Sequence, residues 1–276
     1  MVNISQRYLS EWGIIVIRED GLFGVIDKVA ESVQFLKDHE PPEGYYLAFS
    51  GGKDSICIKE LARMAGVKYD AHYSVTTIDP PELVRFIKQH HKDVTFDHPE
   101  RPLLKQLVIQ GAPLRQARWC CALYKENGGA GRRVITGIRA AESAKRAGRR
   151  AIEPCYKDSG KIFINPIINW SDDDVWEFIK ERELPYCSLY DEGWKRIGCL
   201  FCPNAGSKER LKQAKRYPRM TKAFIKHFEL LWADRKSKPK KDGSTSVDRW
   251  ASGEEFFWWW LGVEGNEETD QTVLFE

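Results

Sequence analysis

Apolar runs and helically spaced apolar positions alternate through the central part of the chain. Continuous apolar runs at 45–49, 72–78, 133–138 and 162–164 predict strands, with a weaker one near 93–96. Between them, apolar residues recur at the period of a helix with one buried face, over 55–65, 81–90, 101–110 and 172–182. This alternation predicts βαβ units and a doubly wound, mostly parallel α/β sheet. Ahead of it, residues 28–38 read as a helix with Val29, Val33, Phe35 and Leu36 on its apolar face, stopped by Pro41-Pro42. Two apolar runs within 14–26 flank Asp20-Gly21, a hairpin signal. Beyond residue 203 the chain reads as a basic helical stretch (207–234), an exposed linker (235–245) and an aromatic segment (253–262) with Phe256, Phe257, Trp258, Trp259 and Trp260. Trp258–Trp260 are expected to pack this end onto the rest, and the acidic residues from Glu264 to fray. The expected division is 1–40, a hairpin and helix; 41–203, a nucleotide-binding domain; and 204–276, a helical extension.

The turn after the first central strand carries the strongest chemical signal. Ser50-Gly51-Gly52-Lys53-Asp54-Ser55 lies between an apolar strand and a helical segment. Two glycines let the backbone approach a ligand closely. The helix that follows opens with unpaired N–H groups that favour an anion. Ser50, Lys53 and Ser55 add hydroxyls and a cation, a set suited to phosphate or pyrophosphate. The string is not a Walker A loop, because Asp54 follows Lys53 where that pattern needs serine or threonine. In a parallel sheet, ligands bind beyond the carboxyl ends of strands. That places Asp79 and Gly137-Ile138-Arg139, which follow later strands, at the same edge.

Composition narrows the setting. The 276 residues suffice for one large domain with an extension, or for two small ones. Net charge is only +3 despite 30% charged residues, so the whole-chain balance implies no polyanion partner. No apolar run is long enough to span a bilayer, and no secretory leader pattern is present, so a cytoplasmic, reducing location is expected. Seven cysteines in such a place point to metal ligands, redox groups or packing rather than disulfides.

Four of them are paired: Cys120-Cys121, and Cys199 with Cys202 in a C-x-x-C. Adjacent cysteines do not reach one zinc in the usual C-x₂₋₄-C manner. Four thiolates so paired fit an iron–sulfur cluster better, with a Cys₄ zinc site as the alternative. His90, His91 and His98 have no metal-like spacing.

The S-G-G-K-D-S string resembles the PP-loop of the ATP pyrophosphatase superfamily, of the adenine nucleotide alpha hydrolase-like fold. That group includes the phosphoadenylyl-sulfate (PAPS) and adenylyl-sulfate (APS) reductases, tRNA thiolation enzymes and the sulfurtransferase of DNA phosphorothioation. The C-C, long gap, C-x-x-C order is similar to the cluster-ligand pattern of the [4Fe–4S] APS reductases. Ile135-Thr136-Gly137-Ile138-Arg139 through Ser143, Asn165-Pro166-Ile167-Ile168-Asn169-Trp170 through Trp176, Leu184-Pro185-Tyr186 and Ile197-Gly198-Cys199 extend the resemblance over about 44–203. It implies an adenine nucleotide held by Ser50, Gly51, Gly52, Lys53, Asp54, Ser55, Asp79, Gly137, Arg139 and Arg146. Lys53 and Asp54 would act on the nucleotide, with Mg²⁺, and Cys120, Cys121, Cys199 and Cys202 would hold [4Fe–4S]. The reductases attack sulfur with a cysteine in a C-terminal E-C-G-[IL]-H segment. No cysteine follows Cys202 here, leaving Cys57, Cys155 and Cys187.

Lys208, Arg210, Lys212, Lys215, Arg216, Arg219, Lys222 and Lys226 begin a basic stretch that runs to Lys241. It reads either as a solvated helix face or as a track for the phosphates of DNA or RNA. The expected function is ATP cleavage to AMP and pyrophosphate coupled to sulfur transfer onto nucleic acid, with a sulfur-donor protein as a further partner. The alternatives are reduction of APS or PAPS, and a non-catalytic subunit of a nucleic-acid complex.

Overall fold

The computed structural model describes residues 18–21 and 24–262. They divide into two compact units. The first holds the chain up to Ser74, Pro81–Asp97 and Gly128–Ile197; the second holds Val75–Pro80, His98–Asn127 and the chain from Gly198. The expected central domain, 41–203, is therefore shared between both.

The first unit opens with a two-stranded antiparallel ribbon, β1 (Arg18–Gly21) and β2 (Gly24–Asp27). Asp20 pairs with Val25 and Gly21 with Gly24, so Asp20-Gly21 belongs to the first strand. Residues 14–17 of the expected hairpin lie outside the described residues. Asp27 then caps α1 (Lys28–Asp38), accepting from the amides of Val29 at 3.0 Å and Ala30 at 2.9 Å.

The six-stranded sheet comprises β3 (Tyr45–Ala48), β4 (Tyr69–Ser74), β5 (Val94–Asp97), β6 (Arg133–Ile135), β7 (Ile152–Cys155) and β8 (Asp158–Ile164). Its order is β5-β4-β3-β6-β8-β7, parallel except for β7. From β3 the chain builds outward on one side, then returns to build on the other, so the order reverses between β3 and β6. Such a switch point leaves a crevice at the carboxyl ends of the two strands. Helices α2 (Lys53–Ala65), α3 (Pro81–His90), α6 (Ala144–Ala147) and α7 (Asp172–Glu181) complete this unit. α2 buries Ile56, Ile58, Leu61 and Ala62, and ends at Gly66 with φ +69°, a conformation that favours glycine. It packs against α1 and α7.

The strand expected over 72–78 lies at 69–74. Val75-Thr76-Thr77-Ile78 leaves the sheet in a turn: Thr76 N–H donates to the Asp79 carboxylate at 2.9 Å, and Thr77 has φ +66°. A β-branched residue rarely adopts that backbone.

The second unit contains α4 (Leu103–Gln110), α5 (Trp119–Tyr124), α8 (Ser207–Arg216), α9 (Pro218–Lys236) and α10 (Gly253–Leu261). Phe201, Phe224, Phe228, Phe257 and Trp260 form its fully buried aromatic core. Trp260 Nε1 donates to the Pro113 carbonyl at 2.7 Å, which ties the aromatic helix back to the loop after α4. The expected linker starts later and is built of turns, held by ion pairs such as Lys236–Asp248 at 2.6 Å. The acidic end from Glu264 lies outside the described residues.

α10 meets α9 at Gly253, where a Cβ would fall 2.3 Å from Glu229 Cα and 2.5 Å from the Phe228 carbonyl carbon. Backbone cannot move aside as a side-chain tip can. Gly253→Ala is expected to cost about 2–4 kcal/mol and lower the thermal midpoint by roughly 5–10 °C. Calorimetry checks this; an unchanged midpoint would mean that α10 shifts freely on α9.

Candidate functional site

The turn after β3 is built to expose backbone. Gly51 has φ +72°, and a Cβ there would lie 2.7–2.8 Å from Ile87 and Leu83 side-chain atoms, so glycine is required twice over. Gly52 caps α2 without a side-chain hydrogen bond. The Ser50 and Ser55 hydroxyls are 3.2 Å apart, and Ser55 donates to the Gly52 carbonyl at 2.8 Å. The Lys53 amide donates to the Tyr190 hydroxyl at 2.9 Å.

The charged groups here form one network. Lys53 and Arg139 are 5% and 3% exposed, and both reach the same oxygen of Asp172, Oδ1. Arg139 NH2 donates to it at 2.9 Å, and Arg139 Nε donates to Asp54 at 2.7 Å. Arg139 NH1 turns to the Trp170 carbonyl at 3.4 Å. Burial raises the Asp54 carboxyl above the usual range, although Arg139 and Lys53 oppose it. Burial pushes Asp172 up as well, but Lys53 and Arg139 outweigh it and hold that carboxyl low. Two buried cations thus converge at the switch point on a carboxylate whose side chain is 63% exposed.

Gly137, after β6, abuts the start of α2: a Cβ there would lie 3.0 Å from the Asp54 carbonyl carbon and Cβ. Asn165 is fully buried and bonds both the Thr136 hydroxyl and the Arg150 carbonyl. Ala140 N–H donates to the Ile168 carbonyl at 2.8 Å. The I-T-G-I-R and N-P-I-I-N-W segments are therefore laced together, which holds Arg139 in place. Arg146 pairs with Glu142 in the adjoining turn and does not join the Lys53 network. Trp176 stands beside Lys53, whose ammonium is 5.7 Å from its ring centroid, with Tyr186 and Tyr190 edge-on to it.

The second unit carries the other candidate centre. Cys120 and Cys121 lie on α5; Cys199 and Cys202 flank a turn in which Phe201 has φ +56°. Cys120 is within electrostatic reach of the other three thiols. Its own hydrogen bond lowers Cys121 to about 6, against burial and with help from Arg118, whose NH1 donates to Cys121 Sγ at 3.8 Å. Burial raises Cys199, opposed by the Lys125 ammonium. Lys125 is raised in turn, first by Cys199 and also by Asp79. Asp79 thus lies in this unit beside Cys199 and Lys125. Leu200 N–H donates to the Ile78 carbonyl at 2.9 Å, so the 75–80 turn braces the C-x-x-C loop. Among the described residues, no three His, Cys, Asp or Glu converge closely enough to hold a single metal ion.

Of the remaining thiols, Cys57 is fully buried and donates to the Val175 carbonyl, and Cys187 is 1% exposed. Burial raises both. Cys155 is half-buried at the end of β7.

A doubly wound α/β sheet with the glycine-rich S-G-G-K-D-S turn at its switch point is a fold of the PP-loop type. Residues 44–205 match the phosphoadenosine phosphosulfate reductase domain, and the chain belongs to that family. It is 28% identical over 213 residues to an uncharacterized protein of Methanocaldococcus jannaschii, covering 71% of this chain and 44% of that one. It is 31% identical over 157 residues to the adenosine 5'-phosphosulfate reductase of Oceanobacillus iheyensis, covering 54% and 63%. With the corresponding reductase of Allochromatium vinosum it shares 32% over 139 residues, covering 45% and 53%. The chain spans about half the length of the curated relatives it matches. The crystal structure of a PAPS reductase from Candida auris overlaps it with a TM-score of 0.49 at 21% identity, over 61% of this chain and 88% of that one.

Asp172 and Tyr190 were not legible as site residues. They meet Lys53 across 119 and 137 positions. Asp172 follows the helix-capping serine and reads as an ordinary first-turn acid. Lys125 and Arg118 carried only proximity to Cys120-Cys121 as a signal.

Proposed function

We propose that this chain cleaves ATP between the α- and β-phosphates and uses the activated adenylate for sulfur transfer onto nucleic acid. The observation that carries the reading is the pair of buried cations, Lys53 and Arg139, converging beside the loop glycines. Such a receptor suits a pyrophosphate, whose several oxygens can engage both cations and the loop amides. An acceptor oxygen attacks the α-phosphorus, the bond to the bridging oxygen breaks, and pyrophosphate leaves with the electron pair. Lys53, Arg139 and the amides at the start of α2 stabilise the charge that develops on it. Magnesium bound with the nucleotide would supply further neutralisation.

Cys120, Cys121, Cys199 and Cys202 fit a [4Fe–4S] cluster as a donor set. Cys120 feels the charge of the other three thiols, and four cysteines are the donor number that a [4Fe–4S] cluster takes. Bound there, a cluster would supply a site for sulfur. Lys125 and Arg118 offset the thiolate charge. A sulfur-donor protein completes the reading as a partner.

The acceptor assignment rests on the second unit. Lys208, Lys212, Lys215 and Arg216 on α8, and Arg219, Lys222 and Lys226 on α9, are all exposed. Of the acids near them, Glu229 accepts from the first amides of α10 and Asp234 pairs with Arg235 and Lys238, while Glu209 lies on α8 itself. A stripe of this kind suits a phosphate backbone.

A second reading, reduction of APS, is favoured by the reductases among the relatives. Against it, neither Cys57 nor Cys187 is presented as a nucleophile, and Cys155 lies on an edge strand. One assay separates the two. Anaerobic protein is expected to release pyrophosphate from ATP when RNA or DNA is supplied, and no sulfite from APS or PAPS with thioredoxin. Binding of the nucleic acid should weaken steeply with salt, and less steeply after Lys212→Glu with Lys215→Glu. Sulfite release lost in Cys155→Ser would establish the reductase instead.

A further inference from the structure

Asp172 holds an unusual place in the loop network. Its Oδ1 accepts from both Lys53 and Arg139, which have almost no exposure to water, while the carboxylate itself is largely exposed. Each nitrogen of Arg139 is engaged: Nε donates to Asp54, NH2 donates to Asp172, and NH1 reaches the Trp170 carbonyl at 3.4 Å. An anion that reaches either cation must therefore compete with this carboxylate. Asp172 sits on the first turn of α7, and its side chain is 63% exposed.

We propose that Asp172 is a specificity-determining residue, an internal anion that the ligand must displace from Lys53 and Arg139. The inference rests on the pyrophosphate reading of the loop. A tethered carboxylate competes at high effective concentration. A compact anion such as orthophosphate offers little that Asp172 does not already supply. Pyrophosphate brings more charge and more oxygens, and engages both cations and the loop amides together. The carboxylate therefore suppresses single-anion binding more than pyrophosphate binding, and the site selects linked phosphates.

The test is calorimetric titration of the full chain with inorganic pyrophosphate and with orthophosphate, with and without Mg²⁺. Wild type is compared with Asp172→Asn, Asp172→Ser and Asp173→Asn. Asp173 is exposed on the same first turn, so its variant removes the same charge from the same helix end. Thermal unfolding establishes that the variants are folded, and serine is a second replacement that suits a helix start. Both Asp172 variants should bind orthophosphate about tenfold more tightly, the scale of losing one charge-assisted competitor. Pyrophosphate should gain less, so the preference for it narrows, and Asp173→Asn should match wild type. Equal affinities in wild type and both Asp172 variants would overturn the inference. So would weaker binding confined to Mg²⁺ conditions, which would make Asp172 a metal ligand. If wild type binds no pyrophosphate at all, the pyrophosphate reading itself falls.

Discussion

Lys53→Ala is expected to weaken ATP binding by about 10- to 100-fold, the range for losing one hydrogen bond from a charged donor, about 1.5–3 kcal/mol. The effect has two sources. The ammonium no longer meets the phosphates, and Asp172 keeps only Arg139 as a counter-ion, so its charge faces the incoming ligand. The fold should be affected far less. Breaking a buried ion pair is destabilising when it strands a buried charge, but the partner left behind here is largely exposed and stays solvated. Affinity and stability should therefore separate: calorimetry is expected to read a large rise in Kd while the thermal midpoint moves little. An unchanged Kd would show that Arg139 and the loop amides bind the nucleotide without Lys53.

Protein purified without oxygen is expected to be brown and to carry about four irons and four sulfides per chain, the content of one [4Fe–4S] cluster. Cys199→Ser should abolish most of this, since it removes one of the two thiols on the braced C-x-x-C loop. Cys57→Ser should leave it intact, because that thiol lies in the first unit, bonded to the Val175 carbonyl. Metal analysis, sulfide analysis and electron paramagnetic resonance after reduction read the result. Stoichiometric zinc without sulfide would replace the cluster with a structural zinc site. The Lys125 and Arg118 charges offset burial at Cys199 and Cys121; within the adjacent pair, the shared hydrogen bond lowers Cys121 and raises Cys120.

Local periodicity located much of the architecture. The helices over 28–38 and 81–90 coincide with their expected bounds, because each pairs a regular apolar face with a clear stop or start. β4 was displaced because an apolar run marks burial, not backbone conformation: Ile78 is buried in a turn. β7 was missed because its burial alternates weakly at the sheet edge and it contains Pro154, a residue that argues against a central strand. The turn after it lies at Tyr156-Lys157, and Asp158-Ser159-Gly160 already belong to β8. At the loop, the glycines and Lys53 were legible because their chemistry is local. Asp172 was not, because its role is set by two partners far away in sequence. Asp79 was assigned by its place after a strand, yet the chain turns at Thr76–Asp79 and carries it to the cysteine-bearing unit. Both glycine-dependent steps, at Gly51 and Gly137, came from sequence as ligand contacts; packing against Ile87, Leu83 and Asp54 supplies a separate reason for each.

The way the second unit is assembled from separate stretches has a consequence for the order of synthesis. Its segments 75–80 and 98–127 leave the ribosome well before the stretch that begins at Gly198. Cys120 and Cys121 therefore emerge with half of the proposed donor set still unmade, and α4 emerges before α9, against which it packs. The first unit meanwhile has all its strands once Ile164 is made. A nascent chain thus completes the Ser50–Ser55 loop early and assembles the proposed four-thiol set late, and a metal delivered before Cys199 emerges meets only the adjacent pair of that set.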